Sequence, residues 1–138
     1  MHRPKPHDRR NEMSIQDPWM SAISRGVITS KGRIFKTVEG RAGRKGSRDY
    51  MKGALWDFFD PSDQRNRVQV RIGEIRWYAT MAKYIEGEGR EKIAPQTGSN
   101  AGAAAAYAAI RSREGKQVFG ESEITDRGGV NAIEFVRI

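Results

Sequence analysis

The chain has 138 residues, enough for one domain with a sizeable core and too few for two comfortable ones. Its 25 Lys and Arg stand against 17 Asp and Glu, a formal charge of +8 with a pI near 10.1, so the expected partner is a polyanion: nucleic acid first, an anionic membrane surface second. The absence of cysteine excludes disulfides, zinc-ribbon sites and cysteine nucleophiles, and no apolar run approaches the ~20 residues that a spanning helix needs.

Residues 1–13, MHRPKPHDRRNEM, are charged and proline-bearing with no apolar segment behind them, so they predict a flexible basic arm rather than a secretory signal. The domain proper is expected over 14–138. Both histidines, His2 and His7, lie in the arm, which argues against a histidine triad or a histidine metal site. No metal or cofactor is expected. The lack of a signal and of cysteine points to a reducing interior, cytoplasmic or nuclear.

Asp17-Pro18 predicts a helix start, because an aspartate accepts from free backbone N–H groups and proline suits the first helical position; the helix should span about 18–25, with Gly26 as its exit. Val27 to Val38 is β-branched and interrupted by a Lys31-Gly32 turn, and Arg33 to Glu39 predicts a strand. A loop rich in glycine and charge, GRAGRKGSRDYMKG, leads to ALWDFFD, a buried strand closed by the turn from Asp60 to Asp63. In RVQVRIGEIRWY, Val68, Val70 and Ile72 alternate with Gln69 and Arg71, and Gly73 marks a bulge before Ile75 and Trp77.

Two helices follow, Thr80 to Glu88 and Ala101 to Arg113, the second capped by Ser99 or Asn100 and given one packable face by Tyr107 and Ile110. Gly115 stops it, and AIEFVRI closes the chain as a strand with Ile133 and Phe135 on one face. Helix, strands, helices and strand in this order, without βαβ units, predict an α+β domain on a small curled sheet.

Trp19 in PWMSAIS, KTVEGR at 36–41, VQVRIGEIRWY, the helix ending IEGEG, then Pro95, Tyr107 and AIEFVRI resemble, in this order over residues 17–138, the ASCH domain family. The resemblance implies the PUA-like fold, a small mixed β-barrel with helices at its rim. It also implies a cleft beside KTVEGR and a link to RNA metabolism. One branch of the family is similar to an amidohydrolase that deacetylates N4-acetylcytidine with a lysine and a threonine of this motif and a later glutamate. Carried over, the lysine is Lys36, the threonine position holds Glu39, and the glutamate falls near Glu88, with Glu86 the alternative if the alignment slips by two residues. Glu39 is no hydroxyl nucleophile, Thr37 should face away from Lys36, and VITSKGRIF is inserted before the lysine.

Read as a continuous strand, residues 33–41 put Lys36, Val38 and Gly40 on one face and Phe35, Thr37, Glu39 and Arg41 on the other, separating Lys36 from Glu39 unless a strand end intervenes. Glu39 and Arg41 form either a surface pair or a carboxylate–guanidinium pair facing a ligand. Residues 33–52 hold seven cations, Arg44 and Lys45 among them, against Glu39 and Asp49, a local charge of +5, with Gly40, Gly43 and Gly46 letting backbone approach a phosphate chain. Among the aromatics, Trp56, Phe58 and Phe59 are expected in the core, Trp19 in a cleft wall, and, of Trp77-Tyr78, one ring inward and the other toward the cleft or rim.

Three functions stay open on these residues. The first is an RNA-associated domain binding a nucleotide or single strand through Trp19, Lys36, Glu39, Arg41, Arg44, Lys45 and Tyr78. The second is a hydrolase of a modified nucleoside that uses Lys36, Glu39 and Glu88. The third is a structural or assembly protein acting through its basic arm.

Overall fold

The computed structural model describes residues 11–46 and 50–138. Most of the basic arm, with His2 and His7, and the loop residues Arg48 and Asp49 lie outside the described residues.

Strand β1 (Asn11–Ser14) comes first, and it occupies residues that the sequence assigned to the arm. It runs parallel to β5 (Leu55–Asp60), Met13 opposite Phe58, and sinks Met13 and Ile15 into the core. Among the described residues, regular structure therefore begins at Asn11 rather than after Met13. Helix α1 (Trp19–Ser24) follows. Asp17 caps it, accepting from the Ser21 backbone N–H at 2.7 Å and from its hydroxyl at 2.8 Å.

Strands β2 (Val27–Thr29) and β3 (Gly32–Ile34) form a hairpin turned at Ser30-Lys31. The predicted strand over 33–39 is broken: β3 stops at Ile34 and β4 (Val38–Ala42) starts anew. Between them the chain is pulled away from strand pairing, because Lys36 N–H donates to Ala22 O and Thr37 N–H to Lys92 O, each at 2.9 Å. Those two bonds anchor the segment to α1 and to α3 (Arg90–Ile93).

In β5 the alternation holds, with Trp56, Phe58 and Asp60 buried; Phe59, expected in the core, instead lies half-exposed on the other face beneath the Arg67 guanidinium. Strand β6 (Asp63–Tyr78) pairs with β5 on one side and with β7 (Val130–Arg137) on the other, and its register slips between Ile72 and Ile75, where Gly73 predicted a bulge. Helix α2 (Met81–Glu88) is capped by Thr80, whose side chain accepts from Lys83 N–H. Helix α4 (Asn100–Ala108), capped by Ser99, ends five residues before the predicted Arg113. There a turn through Gly115 (φ +78°) brings Arg111 back against Gln117.

Helix α5 (Glu121–Asp126) has no counterpart among the predicted elements. Its Glu121 carboxylate accepts from the backbone N–H groups of Met81 and Ala82, satisfying the start of α2 across 40 residues of sequence.

The main sheet has the order β1-β5-β6-β7-β4, with β2-β3 apart. It curls into a half-barrel of the small PUA-like kind, its helices on the rim, so the α+β expectation stands. Phe58, Val70, Ile72, Ile133 and Phe135 fill the interior, and Tyr84 and Ile124 pack the helices on. Among the described residues no helix is long and apolar enough to cross a membrane.

Candidate functional site

A curled open sheet leaves two edge strands, and here they are β1 and β4. The bonds Phe135 N–H to Thr37 O and Gly43 N–H to Gly129 O show which residues of β4 bond to β7: those in step with Thr37 and Gly43, namely Glu39 and Arg41. The backbone groups of Val38 and Gly40 therefore face the seam between the two edges. Arg41 crosses it, its Nη2 donating to Ser14 O of β1 at 2.7 Å.

Along this seam lies a cavity of about 620 Å³, inside the usual range for small-molecule sites. Glu39, Gly40 and Arg41 form one wall, and Ser14, Ile15 and Gln16 the facing one. Trp19, Tyr107 and Phe119 supply an aromatic side, with Trp19 and Tyr107 centroids 4.4 Å apart and Tyr107 and Phe119 at 5.5 Å. The charged lining is balanced: Arg41, Arg111 and Arg113 against Asp17, Glu39 and Asp60.

Because Lys36 precedes β4, the strand period does not govern it. Its side chain folds under the motif, fully buried, and Nζ lies 3.3 Å from Glu39 Oε1. Nζ also donates to Val38 O at 2.5 Å and Ile93 O at 2.6 Å, and stands 5.3 Å from the Trp19 ring centroid. Burial pulls the Lys36 pKa below its ordinary value, and the Glu39 carboxylate pulls part of the way back. Three acceptors match the three N–H bonds of an ammonium, so no Lys36 donor is left for a ligand. Lys36 is a strut that fixes Glu39.

Glu39 is thus held between two cations, Lys36 on Oε1 and Arg41 Nη2 on Oε2 at 3.1 Å, yet it keeps a small face, 7% of the residue, open to the cavity. Arg41 keeps a buried Nε–H with no acceptor among the described residues. Gly40 is required by packing: a Cβ there would stand 2.7 Å from the Tyr84 hydroxyl. The Tyr84 hydroxyl in turn shares a 2.9 Å hydrogen bond with that of Tyr107, and burial raises both phenols above their ordinary pKa.

Of the predicted residues, then, Trp19, Glu39 and Arg41 meet at the cavity, with Lys36 directly behind. The others do not. Tyr78 turns to the opposite side, its hydroxyl donating to Glu88 Oε2 at 2.5 Å, and Trp77 donates its Nε1–H to Gly43 O and Gly128 O, so neither ring of the pair lines the cavity. Arg44 and Lys45 are exposed beyond the end of β4, outside the cavity lining. Glu88 is clamped by Arg76, Nε to Oε2 and Nη2 to Oε1, both at 2.7 Å, and Arg76 also reaches Glu134 at 2.9 Å. Burial pushes the Glu88 pKa up, but the bonds from Arg76 and Tyr78 outweigh it and the net shift is downward. Glu86 and Thr37 are exposed.

Tyr107 entered the sequence reading as a packing residue of an alanine-rich helix and as one point of the family resemblance, not as a site residue; Arg111 entered only as part of that helix, and Phe119 did not enter it. The aromatic isolated among alanines was the available signal for Tyr107; Phe119 and Arg111 reach the seam through the Ser112–Lys116 turn, which carries no periodicity.

No family model matches the chain, and no curated protein sequence matches it. Among solved structures it is similar to the crystal structure of the hypothetical protein PH0355, with a TM-score of 0.66 and 23% identity over 94% of this chain and 100% of that one. It is also similar to the solution structure of protein PF0455 from Pyrococcus furiosus, with a TM-score of 0.59 and 22% identity over 94% and 98%. At such identities the likeness is one of fold.

Proposed function

We propose that the protein is an RNA-associated domain of the ASCH type that takes one unstacked base of a nucleotide or short single strand into the seam cavity. The observation that carries this reading is the pairing of an aromatic side, the half-exposed Phe119 backed by the buried rings of Tyr107 and Trp19, with a fixed carboxylate and guanidinium, Glu39 and Arg41, across one open cavity. A ring face stacks on an aromatic for roughly 1–3 kcal/mol, and a polar pair orients the base edge. The flanking phosphates run outside the cavity toward Arg44 and Lys45, because the lining itself is charge-balanced.

Binding is favoured over hydrolysis by the state of the two acid-base candidates. Lys36 has its donors spent on three acceptors, and Glu88 is neutralised by a bidentate arginine away from the cavity. A general acid or base acts on a group within its hydrogen-bond reach, and neither Lys36 nor Glu88 lines the cavity.

Titrating a short single-stranded RNA at about 50 and 200 mM salt tests the proposal. The expected result is saturable binding that weakens with salt, with Arg44→Ala/Lys45→Ala lowering the salt slope and Trp19→Ala lowering affinity at both concentrations. No binding at the lower concentration contradicts it. Turnover of N4-acetylcytidine that disappears in Glu88→Gln would establish hydrolysis instead.

A further inference from the structure

We infer that the preferred base is guanine, read by Glu39 and Arg41; this rests on the base-in-cavity reading above. Glu39 offers acceptors only. Lys36 engages one side of Oε1 and Arg41 one side of Oε2, which leaves each oxygen a further lone pair with no hydrogen bond among the described residues. A carboxylate presented in this way is matched by two neighbouring N–H donors.

Among the four common bases, guanine alone carries two adjacent donors, N1–H and the N2 amino group, with the O6 acceptor next to them. Adenine and cytosine place a ring-nitrogen acceptor beside their amino group, so one carboxylate oxygen would face a lone pair. Uracil brings a single N–H flanked by two carbonyls. The second observation is Arg41: its buried Nε–H has no acceptor among the described residues, and it lines the same wall as Glu39. An unsatisfied buried donor is costly; the Nε–H is covered as the side chain stands, and a small turn of the guanidinium that uncovers it lets a carbonyl beside Glu39 relieve it. Guanine O6 is such a carbonyl, adjacent to the donors that Glu39 requires.

The two cations have a consequence for selectivity. With Lys36 enclosed and Arg41 tied to Ser14 O, the carboxylate cannot swing to suit another edge. The discrimination is therefore geometric, and it should survive changes in salt that weaken phosphate contacts.

The experiment is equilibrium titration of the full chain with the 5′-monophosphates of guanosine, inosine, adenosine, cytidine and uridine, read by tryptophan fluorescence. Guanosine monophosphate is expected to bind at least tenfold more tightly than the adenosine, cytidine and uridine forms. Inosine monophosphate, which lacks only the N2 amino group, should fall between. In Glu39→Gln the guanosine preference should vanish while a residual stacking affinity remains. Equal binding of all five nucleotides, or of guanosine and inosine, overturns the guanine assignment and leaves the base-in-cavity reading standing. Absence of binding by every nucleotide overturns both. Should Glu39→Gln fail to fold, the wild-type comparison of guanosine with inosine still decides.

Discussion

At the scale of single residues the motif KTVEGR is a packing problem before it is a site. Gly40 lies where a methyl group would meet Tyr84 Oη at 2.7 Å and Cζ at 2.8 Å, so Gly40→Ala forces the ring away from Tyr107. Overpacking of this kind costs about 1–3 kcal/mol, a drop of several degrees in Tm, and Tyr84→Phe should recover part of it by removing the hydroxyl. Thermal denaturation of the two single variants and the double variant measures the recovery; additive losses would mean that the contact is not the cause. Lys36→Met removes one partner of a buried ion pair and strands two carbonyls, Val38 O and Ile93 O. The expected loss is on the order of 3–5 kcal/mol in chemical denaturation, against under about 1 kcal/mol for a surface lysine such as Lys31.

Part of the cavity lining was legible in the sequence. Lys36, Glu39, Arg41 and Trp19 stand in one motif and one helix start, and all four meet at the cavity or directly behind it. The geometry was not legible, because a strict period of two sends Lys36 and Glu39 to opposite faces. What unites them is a strand end, imposed by hydrogen bonds from Lys36 and Thr37 to Ala22 and Lys92, residues 14 and 55 positions away in sequence. No local pattern encodes such a bond. Tyr78 and Glu88 illustrate the converse: their chemistry suited the site, but Arg76, two positions before Tyr78, claims the glutamate.

At the scale of elements, the best-anticipated pieces were those with an uninterrupted period. Strand β6 shows its alternation and its glycine bulge in sequence, and α2 shows its threonine cap. Strand β1 was missed because NEMS has no β-branched residue and follows a run of charge; the parallel pairing with β5 supplies what propensity does not. Helix α5 is short, and its role is to place Glu121 on the start of α2. Removing residues 1–10 leaves β1 in place, whereas removal through Met13 also strips most of that strand and should lower Tm.

The Arg76–Glu88–Tyr78 cluster ties β6 to α2, and through Glu134 to β7. Glu88 has a folded pKa below its ordinary value, so its stabilisation is complete above the unfolded carboxylate range and is lost as pH falls through the folded pKa. Denaturation midpoints should decline below about pH 4.5, and Glu88→Gln should flatten that decline while costing roughly 1–3 kcal/mol at neutral pH. An unchanged acid limb in the variant would remove Glu88 from the account.

At the scale of the whole molecule, the half-barrel explains why the site is where it is. A sheet that does not close must deal with two edges, and covering an edge is the usual remedy. Here the β1 and β4 edges are spanned by Arg41 and walled by the end of α4 and the turn after it, which leaves a lined hollow between them. The hollow does not carry the net charge of +8, since it is lined by as many carboxylates as guanidinium groups. On the proposed function, selection of the base and attraction of the chain are then separate tasks on one small domain.

The most direct measurement is a titration of the isotope-labelled protein with guanosine monophosphate, followed by the NMR signals of the Trp19 indole N–H and the Arg41 Nε–H. Saturable shifts of both, with Trp77 unmoved, are predicted. Shifts confined to the exposed Arg44 and Lys45 region, with Trp19 and Arg41 unchanged at saturation, would contradict the seam as the place where a base is held.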